Sequence, residues 1–110
     1  MFEAHYLSQA DYPAFRAEPE RGLTRRVYSH AHQCPLYVWA ARGKRRDDRG
    51  VPRPHWFLYV EYCRRDGARD WKLIERPCTR EINELFDEVP WLELPTIDPK
   101  RTREWLDLDN

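Results

Sequence analysis

"HWFLYVEYCRRDGARDWKLIER", residues 55–76, sets two runs of aromatic and β-branched residues on either side of Asp66-Gly67. Such runs favour strands. Asp-Gly supplies the positive φ values of a two-residue type I′ turn, so the stretch predicts a β-hairpin with those residues as its loop. Counting outward places Arg65 opposite Ala68, Tyr62 opposite Trp71, Glu61 opposite Lys72, Val60 opposite Leu73 and Tyr59 opposite Ile74. Cross-strand pairs of these aromatic, ionic and apolar kinds contribute roughly 0.2–1 kcal/mol each. Strand alternation then defines two faces. Trp56, Leu58, Val60, Tyr62, Trp71 and Leu73 form a first, core-facing side, and Phe57, Tyr59, Glu61, Cys63, Lys72 and Ile74 a mixed second one.

Upstream, "LTRRVYSH" (23–30) and "PLYVWAA" (35–41) have the same strand character between turn formers. Leu36, Val38 and Ala40 alternate with Tyr37 and Trp39, which again gives an aliphatic and an aromatic side. Between the second and third strands, "RGKRRDDRGVPRP" (42–54) carries two Gly, two Pro and six basic residues, and it predicts a long basic loop. Further upstream, "FEAHYL" is compatible with an edge strand and "SQADYPAFRAEPERG" with a helical turn and loop.

Downstream, Pro77 ends the last strand and Thr79 offers an N-cap. Ile82, Leu85, Phe86 and Val89 share one helical stripe, and Pro90 stops the helix. Asp98-Pro99 supplies a cap and first turn for a second short helix reaching Leu108. "WLEL" (91–94) and "WLDL" (105–108) each join apolar bulk to an acid. One three-turn helix covers only one face of a sheet, so Trp91, Leu92, Leu94, Trp105, Leu106 and Leu108 are expected to close the second, aromatic face. The alternative use of this tail is an amphipathic docking segment. The fold expected is a single α+β domain over residues 1–110. It holds an antiparallel four-stranded meander (about 23–30, 35–41, 55–64 and 69–76), a helix at about 79–89 on one face and a short C-terminal helix. The acidic segment 90–110 is packed on it.

A chain of 110 residues with 41% hydrophobic and 35% charged residues suits one soluble globular domain. No apolar run approaches the roughly 18 residues of a membrane span. The N-terminus shows no basic start followed by an apolar run, so no secretory signal is expected. Three cysteines without CxxC spacing indicate reduced thiols and a cytoplasmic setting. The net charge of zero conceals three blocks: residues 1–20 are net −3, 21–76 net +8 and 77–110 net −5. Segregation of this kind points to an interaction surface or to internal charge complementarity.

Arg42, Lys44, Arg45, Arg46 and Arg49 are the candidate contact residues, with Tyr37 and Trp39 as neighbouring aromatic anchors. Arginine suits bidentate phosphate and carboxylate contacts, and tyrosine, tryptophan and arginine dominate interface hot spots. "HAHQC" puts His30, His32 and Cys34 on alternate positions, within reach of a metal site if His55, Cys63 or Cys78 joined them. Structural zinc sites come as tight pairs, so packed or surface histidines are the expectation, with no metal and no cofactor. There is no Gly-rich phosphate loop, HExxH or nucleophile elbow, and His32, His55 and Glu61 would form an acid–base set only by tertiary accident. No catalytic residue is assigned.

The expectation is a small non-enzymatic binding protein, an inhibitor or adaptor that acts on nucleic-acid-handling machinery through protein contacts. Small proteins of phages and mobile elements, anti-CRISPR inhibitors among them, share this general texture. The first alternative is direct binding of single-stranded DNA or RNA by a β-β-β-β-α domain with stacking aromatics. A small metal-dependent enzyme is the second.

Overall fold

The computed structural model describes residues 23–108. Four antiparallel strands run in chain order: β1 (Leu23–Ser29), β2 (Cys34–Arg46), β3 (Pro52–Cys63) and β4 (Arg69–Pro77). Helix α1 (Ile82–Glu88) continues into a 3-10 turn (Val89–Trp91), and helix α2 (Pro99–Leu108) follows. The expected α+β meander with two helices is present. The N-terminal strand and helical turn, and the Leu108 side chain, lie outside the described residues.

The β3–β4 hairpin closes one residue away from the expected register. Cys63 pairs with Arg69, Glu61 with Trp71, Tyr59 with Leu73 and Leu58 with Ile74. The Arg64 N–H donates to the Ala68 carbonyl (2.8 Å), and the Gly67 N–H donates to the Arg64 carbonyl (2.9 Å). This is a three-residue loop in which only the last position is left-handed: Gly67 has φ +89°, and Asp66 does not have a positive φ. Such loops combine a type I turn with a glycine bulge. Asp66 stabilises this form by accepting from the Ala68 N–H (3.0 Å) and pairing with the Arg64 guanidinium (2.6 Å). The β2–β3 turn repeats the design, with Asp47 N–H to the Val51 carbonyl, Gly50 N–H to the Asp47 carbonyl, and Gly50 at φ +77°.

The slip exchanges the faces of β4. Tyr62 and Trp71 therefore stand on opposite sides of the sheet, not on one side as expected. The first face gathers Cys34, Leu36, Val38, Ala40, Leu58, Val60, Tyr62 and Ile74 beneath Leu85, Phe86 and Val89. The second gathers Ala41, Phe57 and Tyr59 with Trp39, Trp71 and Leu73. Both clusters are apolar, and Phe57 and Tyr59 are fully buried. Burying each such side chain contributes roughly 1.5–3 kcal/mol.

Helix α1 begins two residues later than the Thr79 cap implies. Glu81 is its N-cap and makes no side-chain capping bond. Cys78 to Arg80 are used in a turn off the sheet, where Cys78 N–H bonds the Pro54 carbonyl and Arg80 N–H the Pro77 carbonyl. Arg76 and Arg80 both reach Glu88 (3.1 and 2.6 Å) and tie β4 to the helix. Pro90 does not stop helical structure, because it sits at the start of the 3-10 turn, where its missing N–H is not needed.

The two tryptophan-bearing repeats pack on opposite faces, which corrects the expectation that both close the second one. Leu92 and Leu94 join the first-face core with Ile97. Leu106, also buried, belongs to α2, whose Leu106 carbonyl accepts from Arg26 (2.6 Å) and whose Trp105 ring lies 3.4 Å beneath the Arg69 guanidinium. Arg26 and Arg69 are opposite Tyr37 and Cys63, so α2 lies on the second face. Asp98 caps α2 through the Arg101 N–H (3.1 Å), as the Asp-Pro signal implied. The fully buried Thr102 hydroxyl accepts the Cys63 N–H (2.9 Å) and donates to the Asp98 carbonyl (2.8 Å). Those bonds pin the helix to the end of β3.

Candidate interaction surface

Residues 42–54 are not a long loop. Strand β2 runs on to Arg46 and β3 starts at Pro52, with only five residues between them. Among the described residues β1 pairing starts at Leu23 with Ala40, and β4 pairing ends at Pro77 with His55. Beyond those points Lys44 pairs with Pro54, Arg45 with Arg53 and Arg46 with Pro52. Among the described residues, the result is a two-stranded ribbon that continues past the points where β1 and β4 pair. Its strand character is hidden in the sequence because it has no apolar side to bury.

Alternation divides the predicted cations. Arg42, Lys44 and Arg46 follow Ala40 on the first face, whereas Arg45 and its partner Arg53 follow Ala41 on the second. Directly opposed arginines repel, and here each is held by an acid: Arg45 by Glu75 (3.0 Å) and Arg53 by Asp47 (3.2 Å). Asp47 also accepts from the Arg49 and Val51 N–H groups (both 2.9 Å). The Val51 bond is the strongest influence holding its carboxyl below the usual range, so this acid stays ionised inside the turn. Arg46 donates to the Gly50 carbonyl (2.8 Å), which braces the tip. Arg49 stands exposed at the tip.

Tyr37 and Trp39 form a tilted ring pair 5.1 Å apart on the second face. Both are half-buried, and Trp39 packs against the Phe57–Tyr59 cluster. Arg45 lies six positions along β2 from Trp39, roughly 20 Å. The structure therefore does not bring the aromatic pair and the cations into one site.

A second exposed surface lies at the other end of β2 and was not anticipated. Trp91 (68% exposed) stacks on His30 with centroids 4.9 Å apart, and His30 meets Tyr28 edge-on at 5.4 Å. The His30 and Ala31 N–H groups donate to the Pro90 carbonyl and fix this arrangement. HAHQC and the proline-bounded WLEL lie some sixty positions apart, so no local pattern in the sequence joins them. The other residues of HAHQC serve the fold. His32 Nε2 accepts the Leu94 N–H (3.0 Å), and Cys34 is buried, with burial pushing its thiol up. Burial likewise raises the Cys63 and Cys78 thiols. Among the described residues no group of three His, Cys, Asp or Glu side chains is placed to hold a metal ion. Glu61 is buried and pairs with Arg69 (4.0 Å), while His55 lies six residues along the strand beside Phe57. His32, His55 and Glu61 are thus engaged separately.

No helix among the described residues is long and apolar enough to cross a membrane. Comparison with protein-family models, with curated proteins and with solved structures returns no match.

Proposed function

We propose that the protein is a small non-catalytic binding protein, an inhibitor or adaptor that docks on a nucleic-acid-handling complex. The observation that carries this reading is the separation of two exposed chemistries along one strand. The basic ribbon stands at one end of β2, and the Tyr28–His30–Trp91 stack at the other. Strand β2 has 13 residues, so the two lie roughly 40 Å apart. An exposed tryptophan and tyrosine are the side chains that anchor protein interfaces, and clustered arginine suits an anionic partner. A molecule with one of each bridges a protein and a polyanion held by that protein. Both faces of the sheet already carry apolar clusters, which disfavours the alternative of bases stacking on an open aromatic sheet.

The test is affinity capture from nuclease-treated host lysate, with wild type beside Trp91→Ala and Tyr28→Ala. A protein partner held by wild type and absent from both variants supports the reading. Capture of nothing, or of a partner indifferent to both substitutions, counts against it.

A further inference from the structure

We propose that the ribbon, residues 44–54, is a groove-binding element for double-stranded DNA. The inference rests on the reading above and names what the basic end contacts. A two-stranded ribbon fits a B-DNA major groove about 12 Å wide. The charge distribution matches the walls of such a groove. Lys44 and Arg46 point to one side of the ribbon, Arg45 and Arg53 to the other, and Arg49 stands at the tip. A flat acidic protein surface would meet only one of those sides, whereas a groove presents phosphates to both. The ion pairs of Arg45 and Arg53 are exposed on the arginine side, so they exchange readily for phosphate.

Two other modes fit the ribbon poorly. Between Gly43 and Pro54 it carries no aromatic residue, so it offers no base-stacking platform for a single strand. Strand addition is blocked along the β3 edge. The Pro54 carbonyl faces the β4 side, where it accepts the Cys78 N–H, and a residue's N and carbonyl share one side in a strand. Pro54 and Pro52 therefore turn their donor-less nitrogens to that outer edge, and an extended peptide finds no ladder there. A-form RNA is the less suitable duplex because its major groove is deep and narrow.

The experiment is fluorescence anisotropy of the full chain with a short mixed-sequence DNA duplex, its single strand and the matching RNA duplex across a salt series. Two triple variants are compared: Lys44→Ala/Arg46→Ala/Arg49→Ala in the ribbon, and Arg65→Ala/Lys72→Ala/Lys100→Ala elsewhere. Both remove three exposed or half-exposed charges, so net charge alone cannot distinguish them. The expected result is tightest binding to the DNA duplex. The log–log salt slope should fall by about 0.9 for each phosphate that the ribbon triple no longer neutralises, and it should be unchanged in the other triple. Matching circular dichroism and urea midpoints establish that both variants fold. No duplex binding at low salt, single-strand binding as tight as duplex, or equal weakening in the two triples overturns the inference. Partner capture that persists without DNA binding leaves the docking reading standing, and DNA binding without any protein partner does the reverse.

Discussion

Thr102 is the most economical test of how α2 is held. Its hydroxyl accepts the Cys63 N–H at 2.9 Å in a fully buried site. Thr102→Val keeps the shape and helix propensity but leaves that N–H without an acceptor, a loss of about 1–3 kcal/mol. Thr102→Ser keeps the hydroxyl and removes one methyl, about 0.8 kcal/mol before any cavity contribution. Urea unfolding followed by tryptophan fluorescence resolves the two. With a slope of about 1.5 kcal/mol/M, a 2 kcal/mol loss moves the valine midpoint down by roughly 1.3 M. The serine midpoint should move by roughly half that. Hydrogen exchange gives a readout that general destabilisation does not, since the Cys63 amide should be exposed selectively in the valine variant and remain protected in the serine variant. Valine matching wild type within about 0.5 kcal/mol, or an unchanged Cys63 amide, would refute the role assigned to this hydroxyl.

Gly67→Ala forces a Cβ into φ +89°, and the loss should be about 1–2 kcal/mol in urea unfolding; Arg101 Nη1, the atom that Cβ would meet, ends a flexible chain and moves aside. Gly67→Asn should lose less, because asparagine tolerates that region. Leu94→Ala should lose about 2–5 kcal/mol, whereas Trp91→Ala, three residues away and 68% exposed, should change stability by no more than about 1 kcal/mol. His55 has its pKa depressed, by burial first and by Arg45, against an opposing pull from Glu75. The folded state therefore resists protonation, and the stability contribution present above the ordinary histidine value of about 6.5 declines as pH falls through it. His55→Gln should flatten the dependence of the urea midpoint between neutral and mildly acidic pH, and an unchanged slope contradicts this.

Strand identity and order were legible because β1 to β4 carry β-branched and aromatic residues at short, turn-bounded intervals. The exact pairing was not. Asp66-Gly67 is compatible with a two- or a three-residue loop, and the choice falls to the Asp66 carboxylate, which caps Ala68 and pairs with Arg64. Hydrophobic pattern did not arbitrate, because Trp71, Leu73 and Ile74 put apolar residues on both sides of β4, and both sides are buried. The basic stretch looked like a loop because glycine, proline and charge are loop-like when neither face needs covering. Its cations were visible in the sequence, while their division between two sides follows from a register only the fold supplies. The Tyr28–His30–Trp91 stack joins residues some sixty positions apart through the Pro90 carbonyl, and no local pattern announces it.

The order β1-β2-β3-β4 also shapes how the chain acquires its structure. Among the described residues each strand pairs with its neighbours in the chain, so the sheet can zip progressively during synthesis with short loop closures. The bonds that seat α2 are of another kind: Cys63 to Thr102 spans 39 residues and Arg26 to Leu106 spans 80. Until those residues have emerged, a nascent sheet presents the Tyr37–Trp39 side of its strands without its helical cover, and that interval is when the molecule is most open to chaperones or to misassociation.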